Sequence, residues 1–389
     1  MSLRVVIVGG GIGGLSAAVA LLAAGLRVEV YEQARQLGEV GAGVGLHQNS
    51  QRVLRRLGLR EEINRVAARI SGFRVCRPDG SVVSSETYGP DAPHLGVHRA
   101  DLVALLAAAL PQGVVHTGRR CTQFVQDARS ATAVFDTGDV VEADVVIAAD
   151  GIHSVLQQYV ERTEPVFSGT VAYRGIVSAA RVPNWPQSLV VWGGDGKHLL
   201  TFPVRAGRQI NFVGFVPADA EIRESWSAPG DPAVLAAEFG DWTPQVRRIL
   251  EQVDTTFKWG LYDRNPLSRW TNGRLALLGD AAHAMLPHMG QGANQAIEDA
   301  LALATLLREA SAADVPDVLV HFQQLRRDRT ARIQRLSRSN GVAFDAGSTV
   351  RLIRPWVQGY DVEADALAVR REMAKVARPK HDPVSPPLC

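Results

Sequence analysis

The chain has 389 residues and a formal net charge of +2, with 46% hydrophobic and 21% charged residues. These are the proportions of a soluble globular protein, and the length suits one large domain or two interleaved ones. The balanced charge argues against nucleic acid or an anionic membrane as a partner, and no apolar run approaches the length of a membrane span.

The predicted elements begin with a β-α-β unit built around glycines. An apolar strand from Arg4 runs into Gly9, Gly11 and Gly14, an alanine-rich helix follows, and a second strand ends at Glu32. In this pattern Gly9 makes a tight turn, Gly11 lets the backbone approach a pyrophosphate, and Gly14 lets the helix pack on the strand. The helix N-terminus attracts phosphates, and Glu32 is placed to accept hydrogen bonds from ribose hydroxyls. The unit predicts a dinucleotide site without separating FAD from NAD.

The next elements lead to a second acid at the end of a strand. A glycine-rich loop at 38–49 carries His47, and a hairpin turns at 78–80. An amphipathic helix opens at His98 and Arg99, and the almost wholly apolar run 143–149 ends in Asp150 and Gly151. Such a run is typical of a central parallel strand that is buried on both faces.

Beyond about residue 165 the sequence pattern changes, and it later returns to buried strands and long helices. Short β-rich runs between about 165 and 258 predict an antiparallel sheet that covers a pocket. A buried strand then ends at Asp280, a long helix begins near Gly292, and residues about 316–345 form a basic helix. We expect the arginines around Arg326 and Arg329 to form a solvated helical face, or else a dimer surface.

The cysteines, the start of the first predicted strand and the histidines bear on cellular location and metal content. Cys76, Cys121 and Cys389 are few and far apart, which indicates a reducing compartment without a disulfide framework or zinc site. The first predicted strand leaves no room for a signal peptide, so we expect a cytoplasmic protein. The histidines do not show metal-ligand spacing, and no metal is predicted.

Three motifs in a fixed order carry a resemblance to a known family. They are Gly9-x-Gly11-x-x-Gly14, Asp150-Gly151-x-x-Ser154, and Gly279-Asp280-Ala-Ala-His283 with its continuation Pro287-His288-x-Gly290-Gln-Gly292-Ala293-Asn294. Together with Tyr262-Asp-Arg264 and Trp356-x-x-Gly359-Tyr360-Asp361, they resemble the single-component (group A) FAD-dependent aromatic monooxygenases. Within that family the chain looks most similar to the salicylate and 3-hydroxybenzoate hydroxylases and to 6-hydroxynicotinate monooxygenase.

The resemblance implies an α/β fold with a Rossmann-like (GR2-type) FAD-binding domain and an interleaved antiparallel β-sheet substrate domain. We assign residues 1–72, 97–164 and 272–340 to the FAD-binding domain. Residues 73–96 and 165–271 form the β-rich substrate domain. Residues 341–389 form a C-terminal helical segment and tail.

The resemblance also assigns cofactor contacts. Arg99 reaches the FAD pyrophosphate, Asp280 meets a ribityl or ribose hydroxyl, and Asp150 with Gly151 couples the FAD site to docked NADH or NADPH. The glycine loop with Gly290 leads to a helix start, where backbone N–H groups of Gly292, Ala293 and Asn294 face the flavin. They stabilise the anionic reduced flavin there. Gln157 stands where the family often has an arginine, so reduction and nucleotide choice stay open.

In the family's cycle, NAD(P)H reduces FAD, and O2 forms a C4a-hydroperoxide whose terminal oxygen is transferred to an electron-rich ring. A free phenol has a pKa near ~10, so a base at neutral pH helps to activate it. His198 is the first candidate, with an exposed edge histidine as the alternative. Phe202, four residues along the same predicted strand, faces the same pocket and replaces a tyrosine of the 3-hydroxybenzoate enzyme.

Other site residues follow from the loops. Pro287 and His288 lie in the loop facing the flavin, His47 lies beside the flavin ring or is a plain loop residue, and His283 is structural. Arg174 pairs with a substrate carboxylate or is an ordinary strand arginine.

The predicted function is therefore an FAD- and NAD(P)H-dependent hydroxylase of a small phenolic or N-heteroaromatic acid, working as a monomer or homodimer. Two alternatives stay open. One keeps the fold and cofactor but takes urate or a larger phenolic natural product. The other is a flavin-binding regulator or assembly partner without productive hydroxylation.

Overall fold

The computed structural model describes residues 2–38, 42–89, 93–218, 228–350 and 354–376. The strands of this part, numbered in chain order, are β1 (Arg4–Val8), β2 (Arg27–Glu32), β3 (Gly43–Leu46), β4 (Ala68–Ile70), β5 (Gly72–Cys76), β6 (Val82–Thr87), β7 (His94–His98), β8 (Val115–Thr117), β9 (Cys121–Gln126), β10 (Ala131–Phe135), β11 (Val140–Ala143), β12 (Val145–Ala148), β13 (Val166–Ser178), β14 (Leu189–Gly194), β15 (Lys197–Val204), β16 (Gln209–Pro217), β17 (Pro229–Gly230), β18 (Thr256–Asp263), β19 (Thr271–Asn272) and β20 (Leu275–Leu277).

The α-helices of the same part are numbered in the same way. They are α1 (Ile12–Ala23), α2 (Gln48–Arg56), α3 (Arg60–Val66), α4 (Arg99–Ala108), α5 (Pro232–Glu238), α6 (Pro244–Leu250), α7 (Asp280–His283), α8 (Gly292–Leu307), α9 (Val315–Asp345), α10 (Arg354–Gln358) and α11 (Val362–Val376).

A six-stranded sheet with the order β19-β20-β12-β1-β2-β8 forms one layer of the molecule. Its neighbours pair in parallel except for β19, which runs antiparallel to β20. Val5, Val6 and Ile7 of the central strand are fully buried, because α1, which packs against α8, covers the sheet together with other helices and strands. The four residues of β12 are buried as well, which confirms the predicted central parallel strand.

An eight-stranded sheet with the order β17-β18-β13-β16-β15-β14-β5-β6 forms the second layer. It is antiparallel except where β5 pairs in parallel with β14. Side chains alternate between its two faces with the period of two expected of a strand. Leu199 packs with Phe212 and Leu235 in a core on one face, whereas Leu200 and Phe202 look into a cavity on the other.

Two three-stranded antiparallel sheets, β11-β10-β9 and β3-β7-β4, complete the fold. The mixed α/β architecture and the C-terminal helices confirm the predicted fold class. The chain passes to the eight-stranded sheet at β5, leaves it and returns at β13. The exact domain boundaries stay a prediction, since the two large sheets share one cavity.

The expectation of a solvated arginine face on α9 is wrong at two positions. Arg326 is fully buried and donates to Asp299 at 2.7 Å and to Glu298 at 2.6 Å, both on α8. Arg329 is also buried and lies 3.3 Å from Glu298. Burial is tolerated because each guanidinium meets a carboxylate from the neighbouring helix.

Candidate active site

A cavity of about 890 Å³ lies between the two large sheets. One end is bounded by residues that directly follow β1, β2, β12 and β20, so it sits at the carboxyl edge of the six-stranded sheet. Ligands of open parallel sheets bind at this edge, where the loops after the strands meet. The other end is bounded by the inner face of the eight-stranded sheet.

The three glycines of the first motif differ in what surrounds them. Gly9 has a φ of +109°, and a Cβ there would lie 2.2 Å from the carbonyl oxygen of Ala149. A Cβ on Gly14 would lie 1.9 Å from the carbonyl oxygen of Gly9, so the helix packs closely on the strand. Gly11, by contrast, begins α1 at the cavity wall, and a Cβ on it would meet nothing within 4 Å. The space beside Gly11 therefore fits a phosphate that approaches the free N–H groups of α1.

Glu32 ends β2 and lines the same end of the cavity. Its carboxylate accepts hydrogen bonds from the backbone N–H of Gly10 at 2.6 Å and of Ala34 at 2.8 Å. Each carboxylate oxygen keeps a further lone pair for a ribose hydroxyl. The two backbone bonds hold the acid at the strand end, a role that the motif alone did not indicate.

Arg99 and Asp280 both line the cavity and are near enough for their charges to interact. Arg99 opens α4, and its backbone N–H donates to Ala42 at 2.9 Å. Deep burial lowers the pKa of Arg99, while the nearby Asp280 carboxylate raises it. Asp280 opens α7 after Gly279, whose φ of +62° turns the chain at the end of the strand. A cation and an acid are thus both available to a dinucleotide.

Asp150 and Gly151 also line the cavity, next to the strand end of β12. Asp150 accepts from the N–H of Val155 at 2.9 Å, and burial raises the pKa of its carboxyl. Gln157 lies away from the cavity wall. It is buried and donates to the carbonyl of Ala281 at 3.2 Å. The side chain thus ties the segment after β12 to helix α7 and does not line the cavity.

The loop before α8 closes the cavity opposite the sheet. Pro287 begins a single 3₁₀ turn, and Gly290 follows it with a φ of +60° in the left-handed region. Gly292 and Ala293 line the cavity at the N-terminus of α8. Asn294 points elsewhere and donates to Gly290 at 2.6 Å, so its side chain holds the loop in place.

The far end of the cavity is apolar and aromatic. Among the described residues of the eight-stranded sheet that line the cavity, the charged one is Arg174, whose guanidinium lies 4.3 Å from the centre of the Trp259 ring. Burial, together with the charge of Arg99, lowers the pKa of Arg174 to about 9, so it stays protonated at neutral pH. Phe202 lines the same end and packs against Gly43, where a Cβ would lie 2.6 Å from its ring.

A stack of rings forms one side wall. His47 stacks on His94 at 4.2 Å between ring centroids, and Tyr88 lies at 4.2 Å from the other side of His94. Gln291, within the third motif, forms a 2.9 Å hydrogen bond with Nδ1 of His47. His94, Tyr88 and Gln291 were missed by sequence reasoning. For Gln291 a signal existed, because it stands between the two glycines of the quoted motif.

The two candidate bases occupy different positions. His288 lines the cavity, whereas His198 lies behind it, fully buried, with ring centroids 5.1 Å apart. The alternative of an exposed edge histidine for His198 is therefore wrong. Nδ1 of His198 forms a 2.6 Å hydrogen bond with Asp345 at the end of α9, a residue that sequence reasoning missed. Burial lowers the pKa of each histidine to about 3.

His283 stays outside this group. It is buried, and its Nε2 forms a 2.7 Å hydrogen bond with Asp299, which also receives Arg326. Within the described residues no cluster of three or more His, Cys, Asp or Glu side chains could hold a metal ion. In the same part of the chain, no helix is long and apolar enough to cross a membrane.

Comparison with known proteins identifies the family of this chain. Residues 2–337 match the model of the FAD binding domain family. A 3-amino-4-hydroxybenzoate 2-monooxygenase of Streptomyces platensis is 37% identical over 88% of this chain and 88% of its own length. A 6-hydroxynicotinate 3-monooxygenase of Bordetella bronchiseptica is 34% identical over 95% of this chain and 98% of its own. A salicylate hydroxylase substrate complex superposes with a TM-score of 0.81 at 28% identity, covering 95% of this chain and 98% of that one.

The chain belongs to the FAD binding domain family of flavoprotein monooxygenases. It is an FAD-dependent aromatic-ring monooxygenase, which confirms the resemblance and settles the choice of FAD for the first glycine motif. The reading as a flavin-binding regulator is not favoured, because these relatives carry the names of monooxygenases or hydroxylases.

Proposed function

We propose that the protein hydroxylates a small phenolic or N-heteroaromatic acid, with NADH or NADPH as reductant and O2 as oxidant. The observation that carries this proposal is the set of residues of the eight-stranded sheet that line the cavity, which are apolar or aromatic except for the protonated Arg174. An aromatic ring suits the apolar wall, and a carboxylate on that ring suits the guanidinium. The names of the relatives, which specify hydroxybenzoates and a hydroxynicotinate, support the same class.

Bound FAD would supply the redox chemistry, taking two electrons from the nicotinamide and activating O2 for transfer of one oxygen atom. The chain would hold it through the glycine turn at Gly11, the acids Glu32 and Asp280, Arg99 and the N-terminus of α8. Asp150 and Gly151 are the proposed link to the docked nicotinamide nucleotide. The residues present fit this group, because the open space at Gly11 and the two acids lie along one continuous cavity.

The protein's own contribution at the ring is to orient it, exclude water and remove a proton. Arg174 orients the acid, while Phe202, Phe215 and Trp259 shield the ring from water. His288 is the proposed acceptor of the hydroxyl proton, since it lines the cavity and His198 does not. Burial lowers the pKa of His288 to about 3, so its imidazole is uncharged and can accept a hydrogen bond from the hydroxyl, but as a weak base it must pass a proton on as it takes one up.

The experiment is a screen of hydroxybenzoic and hydroxypyridinecarboxylic acids, with urate and larger phenols alongside, for stimulated NADH or NADPH oxidation and a hydroxylated product. We expect one of the small acids to stimulate oxidation and to be hydroxylated. Exchanging its carboxylate for a carboxamide should raise KM in the wild type but not in Arg174→Met. Product formed only from urate or from a larger phenol would replace the proposed substrate class.

A further inference from the structure

Asp345, at the last residue of α9, connects the buried histidines to the protein surface. Its side chain is about one-third exposed, at 31%, while its carboxylate lies 2.6 Å from Nδ1 of His198. His198 in turn lies edge-on to His288 with ring centroids 5.1 Å apart. Asp345, His198 and His288 thus form a row that starts at solvent and ends at the cavity.

The packing around the row leaves it little freedom. His198 stacks on Phe215 with ring centroids 4.2 Å apart and lies 5.4 Å from the ring of Phe344. His288 lies against Gly341 of α9, where a Cβ would come within 2.6 Å of its ring. Nε2 of His198 and Nδ1 of His288 are buried without a hydrogen-bond partner. Two adjacent unsatisfied ring nitrogens are unusual in a folded protein and suggest a functional use.

The geometry points to Asp345 as a positioning residue for proton removal in the hydroxylation. By accepting the Nδ1–H of His198, Asp345 keeps the Nε2 lone pair of His198 available to His288. The three side chains together carry the substrate proton from the cavity to solvent. This inference rests on the proposed function. It adds a residue from the far end of α9 to the site.

The proton balance of this path is simple. The hydroxyl O–H bond of the substrate breaks, its electron pair stays on oxygen, and the proton binds to His288. In the same movement His288 passes a proton to Nε2 of His198, whose Nδ1–H proton moves to the carboxylate of Asp345 and from there to water, so neither histidine is left charged. Return of His198 to its starting tautomer needs no oxidant or reductant.

The charges around the row suit this direction. Burial raises the pKa of Asp345 to about 6, so its carboxylate is ionised at neutral pH, while both histidines are neutral. Among the described residues, the titratable groups that act on His288 are His198 of β15 and Asp345 of α9. The neighbour from β16 is Phe215, which carries no charge.

The test uses the FAD-loaded enzyme without NADH and the probe 4-hydroxybenzoate, whose phenol, with a pKa near ~10, is protonated in neutral solution and whose phenolate is seen in the ultraviolet difference spectrum. Stopped-flow mixing measures phenolate formation, and a pH-indicator dye measures proton release. We expect D345N to slow both by about 10- to 100-fold, the scale of a general acid–base contribution, with the probe's Kd unchanged. D345E should recover most of the rate. In the wild type the rate should fall as the pH drops through about 6, and D345N should lose this dependence.

D317N is the matched control, because Asp317 is an exposed carboxylate in the first turn of the same helix. It lies roughly 40 Å from Asp345 at 1.5 Å of rise per residue. A D345N enzyme with the wild-type rate and pH profile overturns the inference and leaves the proposed function standing. A wild-type enzyme that neither binds nor ionises the probe, and that oxidises NADH with no phenolic or heteroaromatic acid, overturns both.

Discussion

At the scale of single residues, two glycines of the first motif serve different purposes: one allows close packing and the other leaves space for a ligand. Gly14 is needed because another part of the protein fills the space that a side chain would take, whereas Gly11 borders space that stays open. The sequence motif does not distinguish the two glycines. Only the positions of the surrounding atoms separate the glycine that packs from the glycine that makes room for a ligand.

Gly11→Ala should therefore weaken FAD binding without unfolding the protein. The added methyl meets no protein atom within 4 Å, but it occupies the space where a phosphate approaches the helix. We expect the Kd for FAD to rise at least about 10-fold, equivalent to about 1.4 kcal/mol, with the melting temperature of the FAD-free protein nearly unchanged. Titration by flavin fluorescence measures this. Gly240→Ala, at an exposed position with only ordinary contacts, should leave FAD affinity intact.

The lowered pKa values of the two buried histidines lead to a prediction about the stability of the protein in acid. Burial lowers the pKa of His198 and His288 from 6.5 to about 3, so between these values the unfolded chain binds more protons than the folded one. Their contribution to stability is complete above pH 6.5 and is lost progressively as the pH falls towards 3. Asp345 acts in the opposite direction, because its pKa is raised from 3.8 to about 6.

His288→Gln should flatten the acid side of the stability profile. Removal of one titrating group lowers the slope of unfolding free energy against pH by up to about 1.4 kcal/mol per pH unit. Urea denaturation across the acid range measures the slope. His321→Gln, on the far part of α9 from the cavity, is the control, and an unchanged slope in His288→Gln would contradict a neutral buried His288.

At the scale of elements, α8 is the helix that the site depends on. Its N-terminus lines the cavity, and its buried acids Glu298 and Asp299 are held by Arg326 of α9. Asp299 also meets His283 of α7, and Glu298 also receives Asn49 of α2 at 2.6 Å. The position of the helix N-terminus at the cavity therefore rests on charges buried well behind it.

Arg326→Ala should be strongly destabilising, because it leaves two carboxylates buried without their main cation. We expect a loss of about 3–5 kcal/mol in the free energy of unfolding, as for other broken buried ion pairs. Chemical denaturation measures this. Arg335→Ala, at an exposed position on the same helix, should change stability by no more than about 0.5 kcal/mol. Equal effects of the two variants would contradict the buried network.

At the scale of the whole molecule, one cavity joins the two large sheets. Residues from the ends of β1, β2, β12 and β20 bound one side, and the inner face of the eight-stranded sheet bounds the other. A dinucleotide cofactor that spans this cavity touches both layers. Its binding should therefore stabilise the entire fold.

Saturation with FAD should raise stability by about 2.7 kcal/mol at a concentration 100 times its Kd. Riboflavin, which lacks the adenosine diphosphate that Gly11, Glu32 and Arg99 are placed to bind, should stabilise far less at the same concentration. Melting temperature as a function of ligand concentration compares the two. Equal stabilisation would show that the glycine end of the cavity does not take part.

Much of the fold was readable from local pattern. The glycine motif, the acid at the end of β2 and the apolar runs of β1 and β12 follow from residues that are near one another in the chain. The site was readable only in part. The period of two placed His198 and Phe202 on one strand face, but it did not place them at one depth. At about 3.3 Å per residue they are roughly 13 Å apart, so Phe202 reaches the cavity and His198 lies behind it.

The sequence by itself determined the family and its FAD cofactor through the resemblance of three ordered motifs. It also determined the glycine turns and acids at the strand ends, because these depend on short-range steric and hydrogen-bonding rules. The tertiary structure alone decided which histidine faces the cavity, that Asp345 reaches His198, and that Arg326 is buried. Each of these depends on contacts between elements that are distant in the chain. The burial and the pairing of these side chains are set by how the elements pack. The local pattern of charge in the sequence carries no information about that packing.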